Sequence, residues 1–305
     1  MSHFGVLVIG ENVDDQLAPF HEFECTGVDD EHVVDVDETA EVLQEYAERD
    51  KSDGKGLLEW ACDWHGMKAT TAANLDLEGE HKYGYILLDD AGEPVKFVRR
   101  TNPNKKWNWY QVGGRWTGFF KVKEGAEADV GTPGLMTPRA EAGHGDSLLK
   151  RDVDMEGMRA DAVARALAMF DHFEPAFRGH PIPVFAEFRA RFPDSIDAAR
   201  EAYHADPVSV ALKALEDKEH RLPFMTTPSE LFCGGDRDAV IRKARAEALL
   251  THAILKDGQW VERGEMGWFA CVHDEKDLAA WEQEFSAMLD ALPDDARLTI
   301  VDCHI

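Results

Sequence analysis

Apolar positions along this chain form short, strand-like runs toward its two ends and recur at helical spacing through its middle. Phe4-Gly5-Val6-Leu7-Val8-Ile9-Gly10 is a nearly continuous β-branched run closed by glycine, the pattern of a strand covered on both faces and central in its sheet. Val42, Leu43, Tyr46 and Ala47 recur at helical spacing, as do Leu57, Leu58 and Ala61 ahead of Gly66, so two modest helices are predicted. Tyr83 to Leu88 and Val95 to Val98 flank Asp89-Asp90-Ala91-Gly92, which predicts a hairpin. Another strand signal starts at Trp107 and runs through Trp109, Val112 and Trp116 to Phe119, Phe120 and Val122. Gly113-Gly114 inside it marks a bulge or a close approach of backbone.

From Glu124 to about Gly145 the hydrophobic period is lost among Gly, Ala, Pro and acidic residues, so 124–150 is expected as a flexible loop. Helical spacing returns in Met158, Ala162, Leu167 and Phe170, in Phe185, Phe188 and Phe192, and in Val208, Leu212 and Leu215, punctuated by Pro175, Pro193, Pro207 and Pro223. Ala253-Ile254-Leu255 and Gln259-Trp260-Val261 flank Lys256-Asp257-Gly258, where glycine accepts the positive φ of a tight hairpin turn. Beyond a strand over 267–272, Asp274 is the expected cap of a helix whose Leu278, Trp281, Phe285, Met288 and Leu292 share a face. Pro293-Asp294-Asp295 ends it before a last strand, Leu298 to Ile305. If its two strands share a sheet, this strand, helix, strand unit is parallel with a right-handed crossover. The whole predicts an α+β fold: one mixed, largely antiparallel sheet containing both termini, built from 1–123 and 251–305, with a large helical insertion at 151–250.

Composition narrows the class. With 305 residues, 44% of them hydrophobic, the chain can bury a full core, and no apolar run approaches the roughly 18 to 20 residues of a membrane span. No basic, cleavable leader opens the sequence, so a cytoplasmic location is expected. The five cysteines, Cys25, Cys62, Cys233, Cys271 and Cys303, are odd in number and scattered, which fits reduced thiols better than a disulfide framework. With 33 Lys+Arg against 59 Asp+Glu the net charge is -26, so a bare nucleic-acid backbone is repelled. Solubility accounts for such a charge; the sharper account is a decoy surface that imitates a polyanion or docks on a basic protein.

The most particular stretch is Lys105 to Phe120, which crowds Trp107, Trp109 and Trp116 beside Gly113, Gly114 and Arg115. Read as a ligand site, its glycines admit a ligand to the backbone, its aromatic faces stack on a ring, and Arg115 grips a phosphate or carboxylate. Read as architecture, it is a bulged core strand with Arg115 paired to an acid. It carries neither the P-loop nor the dinucleotide-binding glycine spacing. In Asp302-Cys303-His304 the strand period puts Asp302 and His304 on one face. If this strand lies antiparallel beside the first, its end meets His3, and an Asp with two histidines makes an acid/base or metal cluster. The plain alternative is a strand end meeting solvent.

Cys62-x-x-His65 and Cys271-x-His273 have ligand-like spacing, but each is a single pair where structural zinc takes four ligands. Asp154 is an expected helix N-cap, with Glu156 complementing the helix dipole; the functional reading has Asp152 and Asp154 hold a divalent cation and Arg159 an anion. The charged, glycine-bearing connection Glu262 to Trp268 is of a kind that often carries sites.

Taken together, Met1-Ser2-His3-Phe4 with Val6-Leu7-Val8-Ile9-Gly10, Trp109-Tyr110-Gln111-Val112-Gly113-Gly114-Arg115-Trp116, Glu262-Arg263-Gly264-Glu265-Met266-Gly267-Trp268 and Val301-Asp302-Cys303-His304-Ile305 resemble a family of hypothetical bacteriophage and prophage proteins. The resemblance touches the sheet-forming parts and says least about 160–250. It implies a phage context, and through that a bacterial host cytosol, and brings no catalytic role with it. Two functions are carried forward. One is binding of, or action on, a nucleotide-like or other anionic small molecule by Trp109, Gly113, Gly114, Arg115, Trp116 and Arg159, with Asp302 and His304 catalytic and His3, Asp152 and Asp154 the candidate ligands of a divalent metal cofactor. The other is an acidic accessory protein that binds and blocks a basic host defence factor.

Overall fold

The computed structural model describes residues 2–22, 30–223, 226–267 and 271–305; Cys25, Trp268 and the middle of the strand expected over 267–272 lie outside them. Strand β1 (His3–Ile9) forms from the first apolar run, and the short helix α1 (Val13–Leu17) follows it, with Leu17 buried. Residues 34–101 then build a sheet of their own, in which β2 (Val34–Asp37), β3 (Lys68–Thr70), β4 (Gly84–Leu88) and β5 (Pro94–Thr101) lie in the order β2-β5-β4-β3. Helices α2 (Thr39–Glu48) and α3 (Leu57–His65) supply the two predicted apolar faces, so that Val42, Trp60 and Ala61 bury Ile86 and Phe97. The hairpin predicted over 83–98 therefore forms, but in this second sheet rather than in the one that holds the termini. Its partner strand β2 comes from the acidic stretch: Asp35 accepts from Tyr85 Oη at 3.0 Å and Arg100 Nε at 3.1 Å, which ties β2 across β5 to β4.

The chain returns to the main sheet with β6 (Trp109–Gly114), followed by β7 (Phe120–Lys121), β8 (Thr132–Pro133), β9 (His144–Gly145) and β10 (Ser147–Leu149). Residues 124–150, read from sequence as a flexible loop, thus supply three short strands to ladders with β6, β7 and the last strand. The helical middle consists of α4 (Met155–Phe177), α5 (Phe185–Arg191), α6 (Ile196–Ala205), α7 (Pro207–Ala214), α8 (Pro228–Leu231) and α9 (Arg237–Glu247). Asp154, Ser195, Asp206, Thr227 and Asp236 each cap a helix by accepting from backbone N–H groups otherwise left without partners. Phe170, Phe173, Phe177, Val208, Leu212 and Phe232 form the core of this part. Pro175 does not interrupt α4 but lies in its last turn, whereas Pro207 opens α7 at a position where no N–H is needed.

Strands β11 (Ala253–Lys256) and β12 (Gln259–Glu262) make the predicted hairpin, with Asp257 and Gly258 at φ 50 and 72°. After β13 (Glu265–Met266), strand β14 (Val272–His273) pairs with β13 in a sheet of two, so among the described residues it does not share a sheet with the last strand, and the condition for a parallel unit is not met there. Helix α10 (Leu278–Asp290) buries Trp281, Phe285 and Leu289; its cap is Asp277, which accepts from Ala279 N–H at 2.9 Å, while Asp274 lies before the helix with φ 49°. The last strand is β15 (Arg297–His304).

The main sheet has the order β12-β11-β1-β15-β6-β8, with β10 also on β15; β1 runs parallel to β11 and antiparallel to β15. One face packs Leu7, Ile9, Ile254, Leu298 and Ile300 against α10, and the other packs Phe4, Val6, Val8, Val301 and Cys303 beneath α1 and Trp107. Each such side chain contributes about 1.5–3 kcal/mol on burial, and the alternation fixes the register of β1 and β15. Among the described residues no helix is long and apolar enough to cross a membrane.

Candidate functional site

The site is built where β1 starts and β15 ends. Their antiparallel register pairs His3 with His304 and Gly5 with Asp302, and β6 on the other side of β15 pairs Trp109 with His304 and Gln111 with Asp302. Directly paired residues project from the same face, so His3, Asp302, His304 and Trp109 are gathered on one face while Phe4, Cys303 and Tyr110 turn to the other. Gly5 leaves the space over which the Trp116 ring lies: a side chain there would meet the indole at 3.4 Å.

Asp302 is only 1% exposed, and both of its oxygens are used. Oδ1 lies 2.8 Å from His3 Nδ1, and Oδ2 accepts the backbone N–H of Arg115 at 2.9 Å. A carboxylate that accepts from Nδ1–H holds His3 in the tautomer whose Nε2 keeps its lone pair. The His304 ring meets His3 edge to face at 4.9 Å and sits 2.7 Å, Nδ1 to Oδ1, from Asn108. Burial first, and then the neighbouring His3, hold His304 below the ordinary histidine value against the opposing pull of Asp302. Trp109, 48% exposed, lies edge-on to both rings at 6.3 and 6.5 Å. Asn108 and Trp109 also line an open cleft of about 430 Å³ with Asp14, His21, Trp107 and Tyr110. In that cleft the Tyr110 hydroxyl is bonded to Asp14, and burial followed by that carboxylate raises the Tyr110 pKa.

The glycine pair has a specific cause. Gly113 and Gly114 have φ of 78 and 56°, and a side chain on either would strike a buried aspartate: Asp146 Oδ2 at 2.6 Å from the first, Asp302 Cβ at 2.3 Å from the second. Asp146 is fully buried and accepts the N–H groups of Gly118 at 2.6 Å, Gly131 at 2.8 Å and Phe119 at 3.4 Å. It thereby organises 113–147, and its own carbonyl accepts from Ile300 N–H in β15 at 2.9 Å. The absence of hydrophobic period across 124–150 concealed it, because an aspartate that orders a loop through backbone N–H groups leaves no periodic signal.

The three tryptophans of this stretch separate. Trp107 is in the core of one face with its Nε1–H donating to Leu17 O at 3.1 Å, Trp116 is half-buried against the other, and Trp109 alone stands beside the histidines. Arg115 is exposed; its backbone N–H, not its guanidinium, contacts Asp302, and the guanidinium is felt by His304 as a charge. Arg159 does not join them: it pairs with Glu156 at 2.5 Å and lines a cleft with Arg242 and Arg245 between α4, α9 and α10. Nor do Asp152 and Asp154 converge on His3. Asp154 is engaged as the α4 cap with Gly157 N–H at 2.9 Å, and Asp152 lines a separate cleft with His144 and Arg297. Capping needs the carboxylate to point back at its own helix, which turns it away from any shared cation. Among the described residues, neither Cys62 with His65 nor Cys271 with His273 belongs to a three-ligand cluster.

No protein-family model, curated protein or solved structure matches this chain.

Proposed function

We propose that the ends of β1 and β15 form an acid–base site for a small molecule carrying a ring and an anionic group, with His3 as the proton-moving residue. The observation that supports this is the use of a buried carboxylate, Asp302, to hold the Nδ1 side of a histidine whose ring is 19% exposed. A base oriented in this way takes a proton at Nε2, and the adjacent carboxylate stabilises the imidazolium that results. His304, held by Asn108 and kept below the ordinary histidine value, offers a second nitrogen beside the same bound group. Trp109 gives the ring a face to stack on, and the exposed Arg115, next to the Asp302 contact, supplies positive charge near the histidines. A nucleotide has this combination of ring and phosphate. The reading as an acidic partner of a basic host protein rests on the net charge of -26 and the resemblance to phage proteins.

The test is NMR of the histidine side-chain nitrogens and the Trp indole N–H groups during addition of AMP, adenosine or inorganic phosphate. AMP is expected to shift the signals of His3, His304 and Trp109 more than adenosine or phosphate does, and Trp109→Ala and His3→Gln to weaken that response at least tenfold. If AMP at millimolar concentration leaves these signals unmoved, or the variants respond like the wild type, the proposal is wrong.

A further inference from the structure

Away from this site, α4 and the turn after α7 bring together the side chains of His172, Asp217 and His220, whose potential ligand atoms all lie within 4.8 Å of one another. His172 stands on a fixed element: the next residue of α4, Phe173, is fully buried in the helical core. Asp217 and His220 are set by a tight turn in which Asp217 Oδ1 accepts the N–H groups of Glu219 and His220, both at 2.7 Å, and Asp217 N–H donates to His220 O at 3.1 Å. The turn places the His220 ring flat on the His172 ring, with centroids 3.9 Å apart and planes 9° from parallel. His220 Nδ1 lies 3.3 Å from each Asp217 carboxylate oxygen, and His172 Nε2 lies 3.9 Å from Oδ2 and 2.6 Å from the Leu215 carbonyl oxygen.

We propose that His172, Asp217 and His220 bind a divalent transition-metal ion of the zinc type, which staples the turn after α7 to α4. Two imidazoles and one carboxylate are the donor set of zinc and its neighbours, whereas calcium and magnesium take oxygen donors. Bonds of about 2.0–2.1 Å in a tetrahedral shell set donor atoms roughly 3.4 Å apart. The His220–Asp217 and His172–Asp217 separations of 3.3 and 3.9 Å lie near that figure, and the full set, within 4.8 Å, closes on one ion by side-chain adjustment. That adjustment falls on His220, which is carried by a turn and must rotate out of the parallel stack, and on His172, whose ring must turn off the Leu215 carbonyl, so that both nitrogens aim at the shared ion. An ion at His172 Nε2 replaces the proton now shared with the Leu215 carbonyl, and at 2.6 Å that oxygen is too close to stay in line behind it. Solvent completes the shell on the exposed side of Asp217. The ion would stand next to a cleft of about 760 Å³ lined by Leu212, Glu216, Leu222 and Pro228, so the staple also holds the shape of that cleft.

The experiment is calorimetric titration of zinc chloride into the EDTA-treated, dialysed full-length protein, with the absorption spectrum of the cobalt(II) form recorded alongside. One equivalent of zinc is expected to bind and to raise the melting temperature, magnesium not to bind, and His220→Ala to weaken zinc at least tenfold and abolish the thermal shift. His220→Ala sits on a surface turn, and its circular dichroism checks that the fold is kept. The double variant His3→Ala, His304→Ala is expected to bind as the wild type does. The proposal is overturned by an absence of zinc binding, by binding that His220→Ala and Asp217→Asn leave unchanged, or by binding lost only in the His3, His304 variant. None of these results depends on the outcome of the AMP titration.

Discussion

Gly114→Ala tests the account of the site most directly, because one methyl group is placed against the carboxylate that organises it. The backbone at Gly114 has φ 56°, which costs an alanine about 1–2 kcal/mol. The new Cβ would lie 2.3 Å from Asp302 Cβ and 2.5 Å from its Oδ2, well inside van der Waals contact. Asp302 cannot simply swing away, since it is buried on a strand paired on both sides, so relieving the overlap costs a further ~1–3 kcal/mol. The displacement also loosens the Arg115 N–H and His3 contacts to the carboxylate, and hydrogen bonds to charged groups are worth roughly 1.5–3 kcal/mol each. Reduced freedom of the unfolded chain returns about 0.4–1 kcal/mol. Backbone and overlap less that return leave a net loss of about 1–5 kcal/mol, and the loosened contacts add to it, so the total is a large share of a domain's stability. Gly125→Ala is the control: its φ of 79° carries the same backbone penalty, but nothing lies within 4 Å of the added carbon. Urea unfolding followed by circular dichroism should place Gly125→Ala within about 2 kcal/mol of the wild type and Gly114→Ala well below it. The His3 ring-nitrogen signals should move only in Gly114→Ala. Equal destabilisation by the two substitutions, or an unmoved His3 signal in Gly114→Ala, would refute the role given to the Asp302 contact.

Asp146→Ala leaves three backbone N–H groups around 118–131 without their acceptor, at about 1–3 kcal/mol each where they stay dry, and should speed amide exchange at Gly118 and Gly131; unchanged exchange would contradict the role assigned to it. Burial holds His252 below its ordinary value of 6.5, with Glu262 opposing. The stability this gives is complete above pH 6.5 and is lost as pH falls through the lowered folded value, so unfolding in urea at pH 7.5, 6 and 5 should show a decline that His252→Gln reduces. Burial, and after it the charge of Asp302, pushes the Cys303 thiol well above its ordinary range, whereas Cys271 is exposed. Iodoacetamide followed by peptide mapping should modify Cys271 in the native protein and Cys303 only after unfolding; native labelling of Cys303 would show that the end of β15 opens.

The α+β class, the central position of β1, the hairpin around Asp257-Gly258, the buried face of α10 and the helical middle were all legible in the sequence. Each depends on interactions close along the chain: the alternation of a strand, the spacing of a helix face, the backbone freedom of a turn glycine. The placing of Asp302 and His304 on one face, near His3 if the terminal strands pair, was legible for the same reason. Only the tertiary structure decided that residues 34–101 close a second sheet, because strand partners are chosen by which apolar faces can be covered, and α2 and α3 cover this one. It also decided what the glycine pair is for: the positive φ angles at Gly113 and Gly114 answer to Asp146 and Asp302, and Asp302 lies nearly two hundred residues further along the chain. Trp107, Trp109 and Trp116 look alike in the sequence, yet the first is core, the last half-buried and Trp109 open, since burial depends on what the opposite elements bring. Arg159 was drawn away by Glu156, and Asp152 and Asp154 by helix capping and a separate cleft, so neither a sequence-local anion site nor a cation site assembled there. The His172, Asp217 and His220 cluster left only the spacing of its last two members as a trace, because its third ligand comes from a helix 45 residues earlier.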